Sequence, residues 1–554
     1  MQNVNMVRTA RLLDKDIALL GQRLYSSGRY EKSLFIPTES SRRLAKADIE
    51  ALSGRVDALD SGIPVFGVLA GHFRDYLESL RADLDGADEN PAGGLAWLGD
   101  QIYTLTGHDY RADEVRADLI LYNAGTAETI WHEYALPALE NLEGAKLREA
   151  LFGLERSVKA LGFTKPKLRG CFKSLSDAQL DEIRVSLDKL TEKLQAYIAH
   201  TGSLMEKKGG APKAEPLADG ECISVTREEY RDALENKIGV KLDEILLWYE
   251  EENAKTRAEA LEIANRLDIA EKPVTSMRQI SEILFKYAGP CATPEEMFRR
   301  ANTYLKRTRA AAHEYIWLPE DEHCDCVPVP EQLKDSYPWG GYSSDYPSRY
   351  PLYNTMFLNN RNYTAVTDGW IKINSLHEAY PGHHCQFLRC AIDPLPETVK
   401  RGAKSVPLSE GVCLRTERAF EFVFAEDPYY PLMVAQRRHH TSTRVKVDLM
   451  LNYFGKTIGE ACDLYESELG FDRKTARAQV QAHENGKGYF TSYYYGMKKI
   501  TGFEKKLSFD KKEYTELLFS IGRVGMDTFE RILSLSPEDR YSFQHDFASL
   551  LQFS

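Results

Sequence analysis

The chain has 554 residues, 43% of them hydrophobic and 28% charged, and 71 Lys+Arg against 83 Asp+Glu leave a formal net charge of −12. This lies near the soluble globular average and excludes a disordered or collagen-like polymer. Mild acidity supplies no general field for a phosphate backbone, and no stretch reaches the roughly 18–20 consecutive apolar residues of a membrane span, so neither nucleic acid nor a membrane is expected as a partner.

At about 150 residues per domain the length corresponds to three or four domains, or to one large helical body. The first residues, MQNVNMVRTARLLDKDIALL, lack the apolar core of a signal peptide, and a cytoplasmic protein is expected. Nine scattered cysteines, an odd number, are not a disulfide framework.

In chain order, residues 1–206 read as successive helices, with Leu and Ala recurring at three- and four-residue intervals. Residues 207–220, KKGGAPKAEPLADG, gather Gly, Pro and Lys and predict a loop or linker before a catalytic region over 221–554. Thr226-Arg227-Glu228-Glu229 is a helix start of the capping-box type, and the acidic run near 244–252 is a solvated helix face. Between about Pro319 and Tyr363, Pro, Tyr, Asn and Gly predict short strands and loops. Within them His323-Cys324-Asp325-Cys326 has metal-binding residue types, but one residue between the cysteines is fewer than zinc sites use, so a cysteine pair on an edge strand is expected. Long helices return from Ile371 to the C-terminus.

The segment that carries chemistry is LHEAYPGHHCQFLR, Leu376–Arg389, where three of the chain's 13 histidines fall within eight residues. In H-E-x-x-H the two histidines share a helix face and the Glu activates a metal-bound water. On an ideal helix of about 100° per residue, i+6 points about 120° away and i+7 lies roughly 10 Å along the axis, so neither spacing here holds one zinc ion. Pro381 relieves the conflict: its ring clashes with the carbonyl of His377 and offers no N–H, so the helix must distort. Gly382 supplies backbone freedom, and a second helical piece is expected to begin at His383. Tyr380-Pro381 then reads as a two-residue insertion that leaves His377 and His383 as paired ligands and Glu378 as general base. His384 is the competing ligand, or else a group that supports the ligands or touches substrate.

A hydrolytic zinc site needs a third protein ligand and an open position. Leu408–Glu417 offers Glu410 and Glu417, two turns apart on one face. Glu410, 27 residues beyond His383 and beside Gly411, is the better ligand. Glu417 is expected to support a ligand or to pair with an arginine. Asp393, between loop-forming prolines, ranks low.

HEAYPGHH followed by SEG resembles the bacterial family of uncharacterised domains numbered 885, grouped by similarity with gluzincin-type metallopeptidases. Its pattern of HEAxPGHHxQ, EGWALYxE, an Arg with an Asp four residues on, and SYxxG is matched by His377–Gln386, Glu410–Glu417, Arg444 with Asp448, and Ser492–Gly496. The likeness covers roughly Thr226 to Arg523. It implies a mainly α, large two-lobed gluzincin-like fold with a small β-sheet beside the zinc helix, and it points to Tyr493 and Arg444 as active-site groups. A phenol can donate to the oxyanion of a tetrahedral intermediate, and a guanidinium can bind a carboxylate through two parallel hydrogen bonds. Equally, Tyr493 could be aromatic core and Arg444 could pair with Asp448 at i+4. Val412 and Arg415 replace the family's Trp and Tyr, which predicts a smaller, more cationic cleft wall with Arg415 in it.

These readings lead to a zinc-dependent hydrolase cleaving an amide in a peptide or peptide-like small molecule. The alternatives are a metal-dependent lyase, cyclase or acyl transferase on a biosynthetic intermediate, and a metal-free helical binding protein. A homodimer is left open, as are the places of His439 and His440.

Overall fold

The computed structural model describes residues 2–59, 62–107, 109, 111–209, 217–331, 334, 339–343 and 352–547. Helices dominate, as expected, and the described strands form a single three-stranded sheet. The first three helices, Gln2–Leu24, Glu39–Asp57 and Pro64–Asp85, belong to a different apolar core from the helices that follow them in sequence. Their apolar faces, through Val7, Phe66 and Phe73, join one large core with Tyr380, Tyr494, Phe529 and Phe547. Residues 92–205 instead surround a second core, in which Trp131 stacks on Tyr197 at 4.1 Å. A carboxylate fastens the first helix to the C-terminal body: Asp14 accepts from the backbone N–H groups of Glu397 (2.7 Å) and Thr398 (3.0 Å), first-turn donors that helix Glu397–Arg401 itself leaves without a partner.

The segment 207–220 lies in part outside the described residues. Its far end is tied down, with the N–H of Gly459 donating to the Asp219 carbonyl at 2.8 Å. The next helix opens with the expected capping box, Thr226 Oγ1 accepting from Glu229 N and the Glu229 carboxylate from Thr226 N.

In the sheet, β1 (His323–Pro328) runs parallel to β3 (Tyr353–Leu358), and β2 (Gly340–Ser343) runs antiparallel to β3 on its other side. As an edge strand, β1 alternates its faces: Cys324 and Cys326 are buried, whereas His323 and Asp325 point outward and bond each other at 2.7 Å. The four residues therefore cannot close on one ion. The sheet lies beside the HEAYPGHH turn, where Tyr342 of β2 stacks near His383 (6.3 Å) and Asn354 of β3 meets His384.

Candidate metal centre

The chain enters the centre on helix Asp368–Asn374, capped by Thr367, whose hydroxyl accepts from Trp370 N at 3.2 Å. Ahead of Pro381 the helix widens into a π-helical turn, Ser375–Ala379, and Tyr380 N donates five residues back to Ser375 O. Gly382 then packs so tightly that a Cβ there would sit 2.0 Å from the His377 carbonyl oxygen and 2.3 Å from that of Leu376. A new helix starts at His383 and runs to Ile392. The wide turn and the restart bring residues six apart to one point: the His377 and His383 rings lie 5.1 Å apart, nearly perpendicular.

Glu410 reaches that point from helix Val406–Ala419. Its Oε2 lies 3.4 Å from His377 Nε2 and 3.3 Å from His383 Nε2. Glu410 Oε2 is buried and has no hydrogen-bond partner among the described residues. The outer nitrogens are occupied: His377 Nδ1 donates to Glu417 Oε1 at 2.8 Å, and His383 Nδ1 to Gln386 Oε1 at 3.0 Å. Glu417 can only accept, and Gln386 turns its Nε2 to Ser409 O (3.0 Å), so each Nδ1 carries the proton. In its neutral form each imidazole then turns its Nε2 lone pair toward Glu410.

Lone pairs and a carboxylate facing one another repel, and a cation between them would relieve that repulsion. A proton answers in part: burial pushes the His377 imidazolium down, but Glu410 and Glu417 together outweigh it and hold its pKa raised to about 10. Burial raises the Glu410 carboxyl, and the two imidazoles reverse this and hold it well below the usual range. A metal ion fits better. Zinc bonds of about 2.0–2.1 Å in a tetrahedron separate ligand atoms by about 3.3–3.4 Å, the two spacings observed at Glu410 Oε2. The residues present therefore suit a zinc ion held by His377, His383 and Glu410, with Glu417 and Gln386 orienting the imidazoles. Buried Cys413 also approaches His383, but on the Nδ1 side at 3.4 Å, and its pKa is pushed well above the ordinary thiol value by burial.

The other sequence-selected residues divide. Glu378 is half-buried and makes no hydrogen bond among the described residues, leaving its carboxylate open beside His377. Tyr493 stacks on His377 (6.1 Å, 12°), and its hydroxyl lies 3.2 Å from that of Tyr489. Tyr489, which sequence reasoning passed over, donates to Glu410 Oε1 at 2.6 Å. Its place four residues before Tyr493 was the available signal. Glu417 does both things expected of it, bonding His377 and lying 3.6 Å from Arg437.

His384 is not part of the cluster. Its Nε2 bonds Glu322 at 2.7 Å, and Glu322 also accepts from Tyr380 (2.7 Å) and from Arg309. Arg415 leaves the cleft wall expected for it: it pairs with Glu504 (2.9 Å) against Tyr514, because a residue five positions after Glu410 on a helix points about 140° away. Arg444 does not pair with Asp448, whose oxygens are taken by Tyr230 (2.5 Å) and His483 (2.7 Å). Asp393 is bound by Arg389. His439 and His440 are both buried, the first against Thr256 and Glu468, the second against Gln479.

Two solved structures share this fold. One, described as "the putative lipoprotein from Colwellia psychrerythraea", is 16% identical with a TM-score of 0.75, over 96% of this chain and 97% of that one. The other, "a putative lipoprotein of unknown function from Shewanella oneidensis", is 16% identical with a TM-score of 0.73, over 96% and 100%. Among curated proteins there is no match. The family profile that does match extends well beyond the expected Thr226–Arg523, into the N-terminal helices: over residues 44–533 the chain belongs to DUF885, bacterial proteins of unknown function.

Proposed function

We propose that the protein is a zinc-dependent hydrolase that cleaves an amide bond in a peptide or peptide-like small molecule. The observation that carries this reading is the buried Glu410 Oε2, without a hydrogen-bond partner among the described residues and flanked by two imidazole Nε2 atoms at 3.3 and 3.4 Å. Zinc bound there supplies Lewis acidity, lowering the pKa of water and polarising a carbonyl. Glu378, adjacent to His377 and open to solvent, takes the proton from the attacking water and delivers it to the leaving amine. The Tyr493 hydroxyl, kept protonated by burial and by nearby Glu410, donates to the oxyanion as it develops. Tyr489 holds Glu410 in place from behind.

Elemental analysis of protein purified without added metal tests the reading, with near-stoichiometric zinc expected. Chelation should abolish cleavage of a short-peptide library, and re-addition of zinc should restore it. Absence of a transition metal would sink the proposal; bound metal with no peptide cleaved would turn it toward a lyase, cyclase or acyl transferase. No helix of the described residues is long and apolar enough to cross a membrane. We keep a cytoplasmic location and a small-molecule partner as part of the proposal; the two structural relatives are described as lipoproteins, and cell fractionation decides between the compartments.

A further inference from the structure

Helix Tyr430–Asn452 carries Arg437 and Arg444, two turns apart on one face, to the Tyr493 ring. Their guanidinium carbons lie 5.8 and 6.0 Å from the Tyr493 ring, which stacks on His377 at 6.1 Å. Both residues are buried, at 7% and 8% exposure. A buried guanidinium is costly unless a carboxylate accompanies it.

The countercharge here falls short. Glu417 stands 3.6 Å from Arg437 Nε but already serves His377 Nδ1. Arg444 has neutral company: its Nη2 donates to Gln479 Oε1 at 3.0 Å, and the Phe490 ring lies 4.7 Å beneath it. Asp448, the acid one turn along, is bound by Tyr230 and His483. Three buried donors lack an acceptor among the described residues: Arg437 Nε, Arg444 Nε and Trp370 Nε1, with Arg437 lying 5.1 Å over the Trp370 ring. Nearby His440 adds no positive charge, since burial and the two arginines hold its pKa well below the ordinary value.

We propose that Arg437 and Arg444 form an anion subsite that takes the terminal carboxylate of the substrate. This deepens the hydrolase reading and rests on it. A carboxylate matches the planar fork of Arg444 with two parallel hydrogen bonds, and Trp370 and Phe490 wall the pair from water. The path from guanidinium to His377 is one cation–ring contact and one ring stack, roughly 12 Å at most, or about three residues of extended chain. Cleavage therefore falls within the last three residues of a peptide with a free carboxyl end.

The test uses the full chain as purified. Binding of succinate and of succinamide is measured by calorimetry for wild type, Arg444→Gln and Arg444→Lys, and cleavage is compared for N-acetyl tripeptides as free acids and as C-terminal amides. Succinate should bind and succinamide should not. Arg444→Gln should weaken succinate at least tenfold and raise KM for the free acids far more than for the amides, with Arg444→Lys intermediate. A merely structural arginine would lower the melting temperature on removal; relief of an unpaired buried charge should leave ligand-free Arg444→Gln at or above wild type. Equal succinate affinity in wild type and Arg444→Gln, or equal kcat/KM for acids and amides, overturns the subsite and leaves the hydrolase standing. If wild type cuts neither peptide series, the hydrolase reading fails, and the succinate titration still decides the arginine pair.

Discussion

Adjacent residues His383 and His384 belong to two buried histidine–glutamate clusters with opposite character. Around His384 the hydrogen bonds close: Glu322 accepts from the imidazole, from Tyr380 and from Arg309, a compact charge-balanced set. Around His383 they do not, because Glu410 Oε2 faces two Nε2 atoms and has no hydrogen-bond partner among the described residues. Similar side chains thus make a finished strut on one side and, on the other, a set of acceptors turned toward one another. A buried polar cluster that satisfies itself holds structure, while one that fails to do so is built for something else.

The sharpest way to break this contrast is to mutate each cluster and ask what fails. Glu410→Gln should remove bound metal with little loss of fold, and Glu378→Gln should keep the metal while lowering hydrolysis by about 10²–10⁴-fold; elemental analysis and turnover measured on the same samples check both. Glu322→Gln should do the reverse, costing about 3–5 kcal/mol in urea denaturation by breaking a buried pair, with metal content unchanged. Loss of metal without loss of stability in that variant would erase the distinction.

Acid titration sharpens it further. Burial raises the Glu322 carboxyl, but the hydrogen bond and charge of His384 and the hydrogen bonds from Tyr380 and Arg309 outweigh this and hold its pKa lowered to about 2. Its contribution, about 3 kcal/mol, should be fully present above about pH 4.3 and lost as pH falls through about 2, where folded and unfolded states are both protonated. The stability difference between wild type and Glu322→Gln should shrink across that window. The smallest effect is expected for Glu417→Gln, which keeps a hydrogen-bond acceptor for His377 but loses its charge: chelator competition should show zinc held about 10–100-fold less tightly.

Much of the open cluster was legible in the sequence. Pro381 forbids a regular helix through HEAYPGHH, and that local rule is enough to bring His377 and His383 together. Glu410 followed from its place at the start of an apolar helix beside a glycine. The closed cluster was not legible, because Glu322 lies 62 residues before His384 and no periodicity links them. Arg415, expected in the cleft wall, lies about 140° from Glu410 by helix geometry whereas Glu417 lies about 20° away, and the same rule places Arg437 on the face of Arg444. The mainly helical texture was read correctly, but no sequence pattern tells that the first three helices share a core with the C-terminal body.

The helices that carry Glu410 and Tyr493 cross at Gly411 and Gly496 with nothing between their backbones: a Cβ on Gly496 would lie 1.7 Å from the Pro407 carbonyl oxygen, and one on Gly411 would lie 2.4 Å from the Gly496 carbonyl carbon. The crossing acts as a spacer of zero thickness that sets how far the Tyr493 phenol stands from Glu410 and the two histidines. Gly496→Ala adds one methyl group, touches no reacting atom and forces the two helices apart. An outward shift of about 1 Å can cost on the order of a hundredfold in rate. The tolerance of the centre is thus written into a dimension of the scaffold as much as into its ligands.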